Sequence, residues 1–393
     1  MSPLALDNIG LLVTNDPEVG EGPLGLVRDA AVVFDGKWVV AIESAGVSTD
    51  TRFDVGGRCV VPGFVDSHTH LVFAGDRATE FAARMAGAGY VPGGIWDTVS
   101  STREASDAEL RWLARARRRE ALRAGITHIE IKSGYALDVP GEQRLCRLAG
   151  ELTGEATFLG AHLVPREYEG RPDQYVALVC GEMLEACAPH VRWIDVFCEQ
   201  GAFDAEQSRA VLEAGQRAGL GLRVHANQLG AGPGVQLGVE LGAASADHCT
   251  FLSDADVEAL AGSSTVATLL PATDFSTRQP YPDARRLLDA GATLALATNC
   301  NPGSSNTTSM SFCIALAVRD LGMTAEEALQ AATVGGARAL RRDDVGRLSP
   351  GARADAVVLA APSYTHLVYR PGVPLVAATV ARGRVEWQDP ELA

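Results

Sequence analysis

Val65-Asp66-Ser67-His68-Thr69-His70 closes an apolar run that begins at Cys59 and continues through Val60-Val61-Pro62-Gly63-Phe64. The run reads as a buried strand. Residues two apart on a strand point to the same face, so both imidazoles reach toward one point. That is a metal-ligand geometry, but a His-x-His pair also arises by chance. Its meaning depends on what surrounds it.

Apolar runs of strand length recur downstream, near 60–65, 126–131, 156–159, 194–197, 222–224, 244–246, 265–270 and 293–297. Segments with helical periodicity lie between them, at 107–124, 142–152, 173–186, 204–218, 254–261 and 284–290, with another at 325–339 after the last run. Strand and helix alternating in this way predict an α/β fold, a (β/α)8 TIM-like barrel. Both ends of the chain read differently. Short segments at 10–14, 30–34 and 38–42 are punctuated by turns, and Asp35-Gly36 is a hairpin signal. The C-terminal segments 356–359, 376–380 and 385–387 look alike. The expected organisation is a small β-sandwich domain built from both termini, 1–59 and 346–393, flanking a barrel over 60–345.

The chain has 393 residues, 47% hydrophobic and 21% charged, enough for a full core. A net charge of −15 argues against nucleic acid or an anionic membrane as partner. An acidic substrate would need a local basic residue to offset that field. The arginines at 111, 115, 117, 118, 119 and 123 fit a solvated helix face better than a nucleic-acid patch. Eight scattered cysteines without a Cys-x-x-Cys pair predict a reduced, cytoplasmic protein. The N-terminus lacks the pattern of a secretory signal, and no apolar run approaches membrane-spanning length.

In barrels of this kind the chemistry sits where the strands end. The runs are followed in turn by His68 and His70; by Lys132-Ser133-Gly134-Tyr135; by His162; by Glu199; by His225-Ala226-Asn227-Gln228; by Asp247-His248; and by Asn299-Cys300-Asn301. Five of the eight histidines thus fall at predicted strand ends, where metal ligands and acid–base groups are expected. His128, His190 and His366 read as ordinary surface or core residues.

With these residues in view the chain resembles the amidohydrolase superfamily, and within it the branch that opens a cyclic amide, 4-imidazolone-5-propanoate. The segments that carry the likeness are Pro62-Gly63-Phe64-Val65-Asp66-Ser67-His68-Thr69-His70, Glu130-Ile131-Lys132-Ser133-Gly134-Tyr135, Phe158-Leu159-Gly160-Ala161-His162, Asp195-Val196-Phe197-Cys198-Glu199, Asn301-Pro302-Gly303-Ser304-Ser305 and Gly351-Ala352-Arg353-Ala354-Asp355. The resemblance implies one metal ion, zinc or iron, held by His68, His70, His225 and residue 299. It implies a catalytic set of His248, Gln228 and Asn299. Substrate contacts carry over to Arg77, Tyr135, His162, Gln228, Asn301, Gly303 and Ser304, with Tyr90 as a further candidate. It also suggests a homodimer and hydrolysis to N-formimidoyl-L-glutamate in histidine degradation.

The chemistry is coherent. A Lewis-acidic metal lowers the pKa of water and polarises a carbonyl. His248 would move a proton or stabilise an oxyanion, His162 would bind the carbonyl side of the ring, and Arg77 would pair with the propanoate. Plainer readings stand beside these: Arg77 as a helix-start residue, Tyr135 as packing, Gly303 as a turn, Cys249 and Cys300 as small buried residues. Lys132 reads as structural rather than as a carboxylated bridge between two metals. One departure matters. The family pattern has aspartate where Asn299 stands, and an amide cannot take a proton from an activated water. Asn227 also replaces a common Asp, with no direct chemistry assigned. The departure leaves open a working enzyme with another base, a hydrolase or deaminase of a different cyclic C–N substrate, and a binding protein that has lost turnover.

Overall fold

The computed structural model describes residues 3–49, 51–89 and 94–390. Strands β1 (Leu4–Val13), β2 (Leu26–Asp35), β3 (Trp38–Ser44), β4 (Thr51–Asp54) and β5 (Cys59–Pro62) come first. Then follow β6 (Phe64–Asp66), β7 (Ile126–Lys132), β8 (Glu155–Ala161), β9 (Trp193–Cys198), β10 (Gly221–Ala226), β11 (Ser245–His248), β12 (Val266–Leu269) and β13 (Leu294–Leu296). The chain closes with β14 (Ala356–Leu359), β15 (Val376–Ala381) and β16 (Arg384–Gln388). The described strands form two sheets. One is mixed and runs β16-β15-β14-β5-β1-β2-β3, with β4 also on β1; the other runs β6 to β13 in chain order. The expected alternation is present, since helices such as Asp107–Arg123, Val139–Gly150 and Ala205–Arg217 separate successive strands of the second sheet.

The run from Cys59 to Val65 is two strands, not one. Pro62 has no N–H to continue a ladder. Gly63 turns the chain and donates to the Asp355 carbonyl at 2.9 Å. A Cβ at Gly63 would lie 2.2 Å from Thr127 Oγ1, so only glycine fits there. As a result β5 pairs with β1 and β14 in the terminal sheet, while β6 opens the parallel sheet.

The chain forms two compact units. Residues 1–66, 119–128 and 308–393 make the first, and 67–118 with 129–307 make the second. In the first, strands from both termini share one apolar core that includes Leu6, Leu12, Val32, Phe34, Val60, Val358 and Val380. The β2–β3 hairpin sets Asp35 opposite Trp38, and Gly36 takes a φ of +55°, as a tight two-residue turn requires. The second unit holds every site residue described below. The helix Asp107–Arg123 is not solvated along its whole arginine row. Arg117 donates to the carbonyls of Leu71 (2.8 Å) and Phe73 (2.9 Å) and lies over the Phe73 ring, so it anchors the chain just past His70. All eight cysteines are free thiols. Among the described residues no helix is long and apolar enough to cross a membrane.

Candidate metal centre and substrate pocket

His68 and His70 lie just beyond the end of β6, not within it. The segment stays extended because it is bonded on both sides. Thr69 O accepts from Lys132 N (2.8 Å), His68 O accepts from Asn299 N (3.0 Å), and His70 N donates to Cys300 O (3.0 Å). The i, i+2 relation therefore survives, and the two Nε2 atoms come within 3.3 Å. His225, on β10, joins them, so that ligand atoms of all three lie within 4.8 Å of one another.

What aims these rings is a layer of buried charge. His68 Nδ1 donates to Asp247 Oδ2 (2.7 Å) and His225 Nδ1 to Asp195 Oδ1 (3.1 Å). A carboxylate only accepts, so each Nδ1 carries the proton and each Nε2 keeps its lone pair. Lys132 Nζ bridges Glu130 (2.9 Å) and Asp195 (2.8 Å). Arg223 donates to Asp247 (3.2 Å) and to Ser67 O (2.7 Å). All five of these charged side chains are fully buried. Burial works to raise the Asp195 and Asp247 carboxyls, yet the neighbouring cationic groups outweigh it and hold both below the ordinary carboxylate range. Burial, followed by Lys132 for His68 and by His68 for His70, keeps these two imidazoles well below their usual pKa. They are neutral at pH 7 and suited to a cation.

The donor set fits a metal on one further observation. Asn299, at φ +51°, donates from Nδ2 to Thr273 Oγ1 (2.8 Å), which turns its carbonyl oxygen the other way. That buried Oδ1 has no partner among the described residues. An orphaned acceptor in the pocket that holds this imidazole cluster calls for a cation or a water. His248, the last residue of β11, is similar: its backbone is left-handed (φ +82°), burial holds its pKa well down, and its Nδ1 is buried without a partner among the described residues.

A pocket opens at this cluster. Its polar lining is His70, Arg77, Tyr135, His162, His225, Gln228, His248, Asn299, Asn301 and Ser304, and Gly303 also borders it. Of the residues singled out from sequence, His68 lies beneath it and Tyr90 falls outside the described residues. Ile95, Leu163 and Phe197 supply apolar walls that sequence reading did not single out.

Three assignments change in detail. His162 Nδ1 lies 2.9 Å from the Gly134 carbonyl, an acceptor, so Nδ1 is protonated. Burial, then His225, draws the His162 pKa down to about 4, so its Nε2 offers a lone pair and cannot donate to a carbonyl. Asn301 is taken up by its own loop: Oδ1 accepts from Gly303 N and Ser304 N (2.8 Å each), and Nδ2 donates to Asn299 O (2.7 Å). Arg77 is already paired, donating from Nε and Nη2 to Glu80 (2.8 Å each). Its Nη1 passes where a Cβ on Gly303 would be, 2.2 Å away, so Gly303 makes room for the guanidinium. Glu80 also holds Arg84, which donates to Gly303 O (2.6 Å).

Comparison with known proteins agrees with this architecture. The amidohydrolase family profile matches residues 59–385. The chain is 65% identical to the imidazolonepropionase of Salinispora arenicola over 387 residues, 98% of each chain. It is 62% identical to that of Mycolicibacterium smegmatis over the full length of both. The chain belongs to the imidazolonepropionase family of amidohydrolases. Its fold is shared more widely. A zinc complex of atrazine chlorohydrolase from Arthrobacter aurescens aligns with TM-score 0.72 at 17% identity, covering 98% of this chain and 95% of that one. A zinc-bound adenosine deaminase from Xanthomonas campestris aligns with TM-score 0.70 at 18% identity, covering 99% and 94%.

Residues that sequence reading missed share one character. Asp195, Asp247, Arg223, Glu80 and Glu142 are charged and buried or half-buried, and touch a site residue or its loop rather than the pocket. A charged residue inside an apolar run, as in Ile194-Asp195-Val196 or Leu222-Arg223-Val224, was the available signal.

Proposed function

We infer that this chain hydrolyses 4-imidazolone-5-propanoate to N-formimidoyl-L-glutamate, a step of histidine degradation. The observation that carries the reading is the convergence of three buried imidazoles, two of them oriented by carboxylates, at a pocket bearing Arg77, Tyr135 and His162, in a chain at least 61% identical to eight imidazolonepropionases.

His68, His70 and His225 would hold one divalent ion, with Asn299 Oδ1 as the fourth donor. Imidazole and amide oxygen suit zinc, and iron is the alternative. When bound, the metal supplies Lewis acidity, lowering the pKa of water and polarising the amide carbonyl.

The remaining chemistry belongs to the protein. Arg77 carries the cation that the substrate carboxylate requires in a chain of net charge −15, and Glu80 holds its guanidinium in place. His162, with its lone pair at Nε2, accepts from a ring N–H; it grips the nitrogen side of the ring rather than the carbonyl. Asn301 shapes the loop that presents Gly303 and Ser304. His248 is the base that replaces the missing carboxylate, since neither Asn299 nor Gln228 takes a proton near pH 7. Water adds to the carbonyl carbon and His248 removes its proton. The ring C–N bond then breaks, and the departing nitrogen receives that proton. The product is one ring-opened molecule bearing a formimidoylated amine and a carboxylic acid, whose remaining proton passes to solvent. Assembly as a homodimer and a cytoplasmic location accompany this reading.

The test is turnover of imidazolone propanoate by protein loaded separately with zinc and with iron, bound metal being quantified. Turnover in proportion to metal content is the expected result. Metal bound with no turnover would sink the reading and leave a binding protein.

A further inference from the structure

Glu142, on the helix Val139–Gly150, is fully buried and touches neither the metal ligands nor the pocket. Its carboxylate instead gathers three backbone N–H groups from one loop: Gly134 (2.9 Å), Ala136 (2.8 Å) and Leu137 (2.8 Å). Ser133 donates to it as well. Burial raises its pKa, and these donors pull it back. The loop so gathered carries Tyr135 into the pocket, and its Gly134 carbonyl fixes the protonated Nδ1 of His162. One feature shows that the loop does not hold this shape unaided: Leu137 sits at φ +60°, a region that branched side chains avoid. Gly134 sits at φ +104°, and a Cβ there would lie 2.9 Å from Leu159 O and 3.0 Å from His162 Nδ1.

We propose that Glu142 is a positioning residue for substrate binding, one carboxylate that sets the place of Tyr135 and the tautomer of His162 together. It acts through the Gly134 unit, whose N–H faces Glu142 and whose carbonyl faces His162. This rests on the reading that Tyr135 and His162 contact substrate.

The test is Glu142→Gln in the metal-loaded enzyme. The amide keeps the shape but turns an NH2 toward backbone donors. KM for imidazolone propanoate is expected to rise about tenfold with kcat changed less than about threefold, since a lost charged hydrogen-bond set acts here on binding. Metal content should not change. Nitrogen-15 histidine spectra, assigned with a His162→Asn variant, should show His162 losing its pure Nδ1–H form. Glu142→Asp, which keeps the charge, should fall between the two. An unchanged KM with His162 still in the Nδ1–H form would overturn the proposal. So would an equal loss across KM, kcat and metal content, or recovery of neither variant as folded protein, since either assigns Glu142 to the fold alone. Should His162→Asn leave KM unaltered, the pocket reading fails, and the tautomer readout still judges Glu142 by itself.

Discussion

The core of the terminal sheet and the floor of the metal centre are equally dry and chemically opposite. Leu6, Val32, Phe34 and Val358 in the first are at most 1% exposed and belong to one apolar cluster. Lys132, Arg223, Glu130, Asp195 and Asp247 in the second are 0% exposed and meet through directed hydrogen bonds and ion pairs. Apolar packing is non-directional and tolerates a change of shape if volume is kept. A buried ionic network is tolerant of nothing, because removing one partner leaves the others charged and uncompensated. The first region holds the fold; the second fixes where His68 and His225 point.

Two same-sized substitutions break the comparison open. Lys132→Met preserves length and volume but leaves Glu130 and Asp195 without their shared cation. It is expected to cost about 3–5 kcal/mol of stability and to empty the metal site. Chemical denaturation and metal analysis measure both. A protein of wild-type stability that keeps its metal would show that the network is dispensable.

Asn299→Asp adds a charge at the rim of the same network. With a carboxylate beside the three imidazoles, kcat should rise by about a hundredfold, within the usual range for a positioned general base. Metal affinity should rise as well. Metal-free protein should become less stable, because the new carboxylate is buried without a cation beside it. Steady-state kinetics at full metal loading and apo-protein melting together decide this. An unchanged rate would make His248 sufficient as base.

How far each region was legible in sequence follows from the same difference. Apolar periodicity is local, so most strands, the hairpin at Asp35-Gly36 and the histidines at strand ends were readable, whereas the short, largely exposed β4 was not and β1 starts at Leu4 rather than at residue 10. The break at Gly63 was not, because it depends on Pro62 and on Thr127, far along the chain. The aiming of His68 by Asp247 spans 179 residues, and no spacing rule reports such a pair. Nor could sequence show that Asn301 closes its own loop, or that Gly134 dictates the tautomer of His162. Those facts depend on which donor meets which acceptor once the barrel has closed.

Arg77 tests a cation at the pocket rather than beneath it. Arg77→Ala should raise KM by about tenfold and leave kcat nearly unchanged, since one charged contact to substrate is lost. Arg77→Lys should recover only part of it, because a single ammonium nitrogen cannot reproduce the planar two-point grip on Glu80 while presenting a separate guanidinium edge to the substrate. If KM stayed at the wild-type value in both, Arg77 would be no more than a helix-start residue.

Leu6→Met is the counterpart of Lys132→Met in the apolar core, and the smallest effect of the set. Both exchanges place a thioether chain of similar volume in a site without solvent. Leu6 has no polar obligation, and methionine adapts to irregular space. The expected loss is under about 1.5 kcal/mol, with kcat, KM and metal content unaltered. Equal destabilisation by the two exchanges would mean that packing, not charge, governs both regions. A gap of several-fold would mean that burial is common to them and that directed pairing is what the metal centre adds.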